Sequence, residues 1–413
     1  MKILLVHNFY GSSAPSGENT AYLAERELLK KYGHEVLEFT RHSDEIRESG
    51  LSGTLRGAFS IQWNPFCKRD IRRLLERERP DIMHAHNTFP LLSPAIFRAT
   101  RGLSTATVLT LHNYRIFCAA GIPMRNSVTC IECIERDSVV PAMRYGCYRN
   151  SRLASIPMAA MIFLHKRLGT WKRDVDAFIA LSEFQKKKMA TGGLPEKKVH
   201  VKPHFYPDPP APLPWEARED KIVFVGRLGW EKGIHVLLDA WQRWGNSAPT
   251  LEIIGAGPQR ARLEKMVSGM ALDSKIRFRG QISFSQTQAE MAKARLLVLP
   301  SLCFEGFPMV IREAFALSLP VAGSRIGSLP EIIAENKTGR LFSPGDPAHL
   351  LRVVKGLWED PENLAQMAKA ARNEFEKKYT PNKNYEQLMD IYHKAIAVKK
   401  NRHSPHQGLV KMK

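Results

Sequence analysis

Residues 221–233 read Lys221-Ile222-Val223-Phe224-Val225-Gly226-Arg227-Leu228-Gly229-Trp230-Glu231-Lys232-Gly233. An apolar strand runs into a glycine, and two cations follow before helical periodicity begins. Glycine lets a backbone come close to a ligand. Arginine offers phosphate oxygens a planar fork and lysine a point charge. The turn therefore reads as a diphosphate clamp built on Gly226, Arg227 and Lys232, with a solvated turn of random surface charge as the bland alternative.

The same alternation extends in both directions. Residues 251–254, 275–279, 296–299 and 320–322 read as further strands, and 2–7, 35–39, 81–86, 106–111 and 176–181 form an earlier series. Most are continuous apolar runs, as in a parallel sheet covered on both faces. A helix over about 19–32 carries Ala21, Leu28 and Leu29 at helical spacing and stops at Gly33. Between the two series stand Pro203, Pro207, Pro209, Pro210, Pro212 and Pro214, which no regular element accommodates. The expectation is an α/β chain of two Rossmann-like, doubly wound domains facing across a cleft. The bounds are 1–202 for an acceptor domain, 203–215 for a linker and 216–380 for a donor domain. A C-terminal helix over 381–398 would cross back to the first domain, and a basic tail over 399–413 would be disordered.

A second motif follows the strand at 296–299. Glu305-Gly306-Phe307-Pro308-Met309 leads into a helix that carries Glu313. A carboxylate in the loop can accept hydrogen bonds from sugar hydroxyls, and one on the helix from a ribose. The backbone N–H groups at the helix start, around Phe307 to Val310, suit an anion. Two unrelated surface glutamates are the alternative.

These residues resemble the retaining glycosyltransferases of family four, which have the GT-B architecture. The glycine–Arg…Glu–Lys–Gly turn, the two glutamates with seven residues between them, and Pro320-Val321-Ala322-Gly323 carry the resemblance. The first half agrees through Pro15-Ser16-Gly17-Glu18, His84-Ala85-His86-Asn87, Thr110-Leu111-His112-Asn113-Tyr114-Arg115 and 177–184. The resemblance implies that Arg227 and Lys232 hold the donor diphosphate, Glu305 the donor sugar and Glu313 the ribose. It places His112 by the reacting centre and lets Gly17 close the first loop over the phosphates. Many members carry two adjacent glycines in that loop, whereas Ser16 stands first here. The implied function is transfer of a hexose-type sugar from an NDP-sugar to a glycan or lipid-linked acceptor, in polysaccharide or glycoconjugate synthesis. A non-catalytic nucleotide-sugar binding protein on the same scaffold is the alternative, and it would be expected to have lost Arg227, Lys232 or Glu305. Departure of the diphosphate builds negative charge that preorganised cations stabilise, so no catalytic cofactor is expected.

Cys118, Cys130, Cys133 and Cys147 have spacings compatible with a structural zinc, or they are four free thiols. Asp174-Val175-Asp176 opens a strand instead of following one, and so reads as structural. Gly255-Ala256-Gly257 lacks a third glycine, because Arg260 takes its place.

The chain has 413 residues and a formal charge of +20. Residues 151–202 hold eleven Lys/Arg against four Asp/Glu. Within them the apolar run 156–164 has basic flanks, which suits either an interfacial helix on an anionic membrane or a buried helix. No nucleic-acid-binding motif accompanies the charge. Residues 1–7 read as a strand and not as a signal peptide. The expected setting is the cytoplasm, peripheral to the inner face of the membrane.

Overall fold

Apolar runs without polar alternation bury both faces when helices cover a parallel sheet, and here they do so twice. The computed structural model describes residues 1–11, 16–48, 57, 59–270 and 272–403. Pro15 of the first loop and residues 404–413 of the expected tail lie outside them. The chain divides into two units. One comprises Met1–Ile122, Ile131–Pro203 and Asn384–Lys413, and the other Pro123–Cys130 and His204–Lys383.

In the first unit six parallel strands lie in the order Glu35–His42, Lys2–Phe9, Ile82–Asn87, Ala106–Thr110, Ala177–Ala180, Val199–Val201. The helix Gly17–Lys31 packs on the sheet through Tyr22, Leu28 and Leu29, all buried. Ser16 precedes it, and Gly33, with φ of 76°, follows its end. The helix Pro381–His403 seals the same core with Leu388, Ile391, Tyr392 and Ala395 against Ile3, Leu5, Ile82 and Val108. This corrects the expected start of the tail at 399. Residues 399–403 continue the helix, and the buried Lys399 donates to the Thr100 carbonyl at 3.1 Å.

In the second unit the order is Ile276–Gly280, Thr250–Ile254, Lys221–Val225, Leu296–Leu299, Val321–Ser324, Gly339–Phe342, again parallel throughout. Its core gathers Phe224, Leu237, Leu238, Trp241 and Val298, and the Trp241 indole donates to the Pro249 carbonyl at 3.1 Å. Side-chain caps set several helix starts, as expected for Ser, Asp and Asn at these positions. Asp346 accepts from the His349 N–H and Asp360 from the Asn363 N–H, and Ser283 with Gln286 forms a capping box. The proline-rich stretch has no regular element over 203–214, and from His204 onward it belongs to the second unit. Phe205 and Tyr206 are buried, and the Tyr206 N–H donates to the Tyr379 carbonyl at 3.0 Å.

Among the buried histidines of the first unit, burial holds His7, His84 and His165 neutral. His7 is lowered to about 3, and His84 and His165 to about 4. In the unfolded chain each protonates near its ordinary value of 6.5. Below that pH the unfolded state binds more protons, so stability falls as pH falls from about 6.5 towards 4. The slope is roughly 1.4 kcal/mol per pH unit for each histidine. The thermal midpoint of the first unit is therefore expected to drop steeply between about pH 6.5 and 4.5, with a shallower slope in a His165→Gln variant. A flat midpoint across that window in scanning calorimetry would contradict this reading of the core.

Candidate active site

In a doubly wound sheet the carboxyl ends of two neighbouring strands open a crevice where the strand order reverses. In the second unit this point lies between Lys221–Val225 and Leu296–Leu299. The loops leaving those two strands carry the residues singled out in the sequence. Gly226 ends the first strand and donates its N–H to the Ile254 carbonyl at 3.0 Å. Arg227 projects into solvent and pairs with Glu231 at 2.6 Å. The Lys232 ammonium donates to Glu305 Oε2 at 2.7 Å, across the junction of the two loops. The Ser301 hydroxyl donates to the other Glu305 oxygen, and Ser328 Oγ donates to the Glu305 carbonyl at 2.9 Å. Burial alone would lower Lys232, but Glu305 outweighs it, so the amine is raised and stays charged. Burial, followed by the Glu305 charge, pushes the neighbouring Cys303 thiol up to about 12.

Backbone contact between loops fixes this turn. A Cβ on Gly255 would meet the Gly226 carbonyl oxygen at 2.0 Å, and one on Gly257 the Leu228 carbonyl oxygen at 2.5 Å. That closeness lets the Leu228 N–H reach the Ala256 carbonyl at 2.9 Å and the Gln259 N–H reach Leu228 at 3.0 Å. The pair Gly255 and Gly257 thus braces the clamp. Gly233, with φ of 67°, turns the chain into the helix Ile234–Trp244, and any side chain there would strike the Pro300 carbonyl.

The loop Glu305-Gly306-Phe307-Pro308 ends at the helix Met309–Ala316, whose first turn has no side-chain cap. Its leading N–H groups are the kind that an anion satisfies. Glu313 is buried on that helix, and its carboxylate accepts from the Gln288 amide at 3.2 Å. Burial raises its pKa against the pull of Arg312. Glu313 therefore keeps its charge only at a cost in stability, a feature common where function sets the residue.

The first unit has its own switch point, between Lys2–Phe9 and Ile82–Asn87. Gly17 opens the helix that follows the first strand, and His112 stands two residues beyond Ala106–Thr110. Asn113, the next residue, donates to Glu18 Oε1 at 2.7 Å, and burial raises the Glu18 carboxyl. The first loop is thereby tied to the His112 loop, a contact that sequence spacing gave no sign of. His112 Nε2 lies 3.2 Å from His86 Nδ1, which places His86 beside His112.

Asp174 and Asp176 are both occupied internally. Asp174 takes a bidentate Arg101 at 2.7 and 2.9 Å, and Asp176 accepts from Thr107 and pairs with Arg402. The cysteine cluster does not assemble as expected. Among the described residues no three of the sulfurs of Cys118, Cys130, Cys133 and Cys147 lie within 4.8 Å of one another. Among the described residues the one group with three ligand atoms within 4.8 Å is Glu25, His84 and His86. Burial pushes the Cys118 thiol up to about 11.

Comparison with known proteins agrees with both halves. Residues 17–207 match the family model Glycosyltransferase Family 4, and residues 209–374 match Glycosyl transferases group 1. The sulfoquinovosyl transferase SQD2 of Arabidopsis thaliana is 26% identical over 370 residues, covering 84% of this chain. The matched stretch spans 65% of that relative's length. Among solved structures, a glycosyltransferase from Rickettsia africae superposes with a TM-score of 0.69 at 16% identity, over 96% of this chain and 99% of its own. Anabaena HepE in complex with UDP superposes with a TM-score of 0.64 at 17% identity, over 94% and 99%.

Proposed function

This chain belongs to the glycosyltransferases of family four, and from that premise we propose that it moves a hexose-type sugar from a nucleoside-diphosphate donor to a glycan or lipid-linked acceptor. The observation that carries the reading is the Lys232–Glu305 pair at the strand-order reversal, with Arg227 beside it. The arriving diphosphate competes with Glu305 for the Lys232 ammonium. Once that ammonium is engaged, Glu305 is released to accept hydrogen bonds from sugar hydroxyls. The open first turn at Met309 takes a phosphate oxygen, and Glu313 takes the ribose. HepE was solved with UDP, which makes a UDP-sugar the first donor to try. Lys232 and Arg227 stabilise the charge that grows on the leaving diphosphate. The sugar is transferred with retention, through attack on the face from which the phosphate departs. His112, in the first unit, serves the acceptor side.

Proton NMR of the reaction with UDP-, GDP- and ADP-sugars tests this. The product is expected to keep the donor's anomeric configuration. Lys232→Met is expected to lower kcat/KM by about a hundredfold, the usual loss when one oxyanion-stabilising group is removed. No nucleotide release from any donor, or an inverted product, would overturn the reading.

The acceptor side is read as a membrane surface. Among the described residues no helix is long and apolar enough to cross a bilayer. The helix Arg152–Arg167 buries Met158, Met161 and Ile162 but leaves Leu153, Ile156 and Phe163 exposed along one stripe. Arg149, Arg152, Lys166 and Arg167 flank that stripe. Apolar side chains framed by cations suit the headgroup region of an anionic bilayer. Flotation with phosphatidylglycerol vesicles at low salt is expected to carry the protein upward. Ile156→Ser with Phe163→Ser should leave it at the bottom, and sedimentation of the unaltered protein without vesicles would reject membrane binding.

A further inference from the structure

Side chains alternate along a strand, so His84 and His86 point to one face of Ile82–Asn87. The helix Gly17–Lys31 lays Glu25 over them, and all three residues are buried. Glu25 Oε2 accepts from Lys202 Nζ at 2.7 Å, and that ammonium also donates to Asn384 Oδ1 at 3.0 Å. Glu25 Oε1 faces His84 Nδ1 at 3.1 Å and His86 Nε2 at 3.2 Å. The spacing is that of a metal site, but the components belong to a charge network. Lys202 already supplies the cation, and the far nitrogen of His84 is engaged with Thr110 Oγ1 at 2.8 Å. Burial alone would raise Glu25. Lys202 and the two imidazoles outweigh that and hold it well below the usual carboxylate range, so it is ionised.

The carboxylate has a consequence beyond this cluster. His86 Nε2 meets Glu25 Oε1 without the alignment of a full hydrogen bond. Even so, an unprotonated Nε2 there would set its lone pair against an ionised oxygen, so the proton belongs on Nε2. A neutral imidazole has one donor and one acceptor nitrogen. His86 Nδ1 is therefore the acceptor, and it faces His112 Nε2 at 3.2 Å. We propose that Glu25 and His86 are positioning residues for His112: the buried carboxylate orders the two imidazoles in series, so that His112 carries its proton on Nε2 and presents Nδ1 as its acceptor nitrogen. This rests on reading His112 as the residue at the reacting centre. A histidine in a fixed tautomer hydrogen-bonds or takes a proton at one defined atom, whereas an unordered ring divides its population between two.

Glu25→Gln tests the chain of contacts with little change in shape. Its amide oxygen can still accept from Lys202, while its two N–H groups would point at the nitrogens of His84 and His86. The proton on His86 must then move to Nδ1, and His112 must accept at Nε2 and carry its proton on Nδ1. Long-range ¹H–¹⁵N spectra of histidine-labelled protein report this directly, with His112 assigned by a His112→Gln variant. The expected result is an Nε2–H tautomer at His112 in the unaltered protein and an Nδ1–H tautomer in Glu25→Gln. If Glu25→Gln does not fold, His86→Phe keeps a ring in the same surroundings, and His112 should lose its single-tautomer signature. The same His112 tautomer in the unaltered protein and in either variant would overturn the proposal, as would an Nδ1–H tautomer in the unaltered protein. Because no substrate is needed, this outcome stands apart from whether the protein turns over an NDP-sugar. In turnover, Glu25→Gln is expected to lower kcat by about 10- to 100-fold with the donor KM unchanged, the usual scale for a group that orients another.

Discussion

A cation and a carboxylate brought 2.7 Å apart by two parallel strands are what the second unit of this molecule is organised around. Lys232 and Glu305 lie 73 residues apart in the chain. They meet because Lys221–Val225 and Leu296–Leu299 are neighbours at the point where strand order reverses. Where the strand order reverses, the crevice between the loops leaving the two strands stays open. Each charge is partly buried, and each would be costly without the other. The pair is thus stable in the free protein, and under the proposed function an arriving diphosphate would compete with Glu305 for Lys232. The glycines at 233, 255 and 257 serve this arrangement, since backbone contacts at their positions leave little room for side chains.

The first unit solves a parallel problem with different residues. Its buried Glu25 is balanced by Lys202, and Lys202 is held in turn by Asn384 at the start of the last helix. Tyr392 of that helix reaches His84 at 2.8 Å. The C-terminal segment therefore does more than cover apolar surface. It completes the polar network beneath the His86–His112 contact, so residues nearly three hundred positions downstream bear on the histidine geometry.

Much of this was legible in the sequence, because parallel strands announce themselves as apolar runs ending in glycine or polar loops. Ten of the twelve strands in the two sheets were found that way. The two missed, Val199–Val201 and Gly339–Phe342, are short edge strands, and an edge leaves too little apolar signal for periodicity to register. The turn at 226–233 and the loop at Glu305 stood out in the sequence, and the structure brings Lys232 and Glu305 together. The role of His86 was not legible, since a strand histidine looks the same whether it fills a core or faces another ring. Glu25 was equally hidden. On a helix face it is one acidic residue among several, and only folding brings Lys202 to it. The cysteines show the same limit, since spacing along the chain leaves a zinc site and four separate thiols equally open. Lys399 shows a related limit, for a lysine in a basic, broken stretch reads as solvated until a carbonyl such as that of Thr100 is placed in its reach.

The central claim is that Lys232, paired with Glu305 in the free protein, changes partner to a nucleoside diphosphate. Isothermal titration of UDP, GDP and ADP into the intact protein, with Lys232→Ala alongside, measures this most directly. The account predicts that one diphosphate binds selectively and that the substitution weakens it by at least about tenfold, the scale of one charge-assisted contact. Binding of none of the three, or equal binding by the substituted protein, would contradict it.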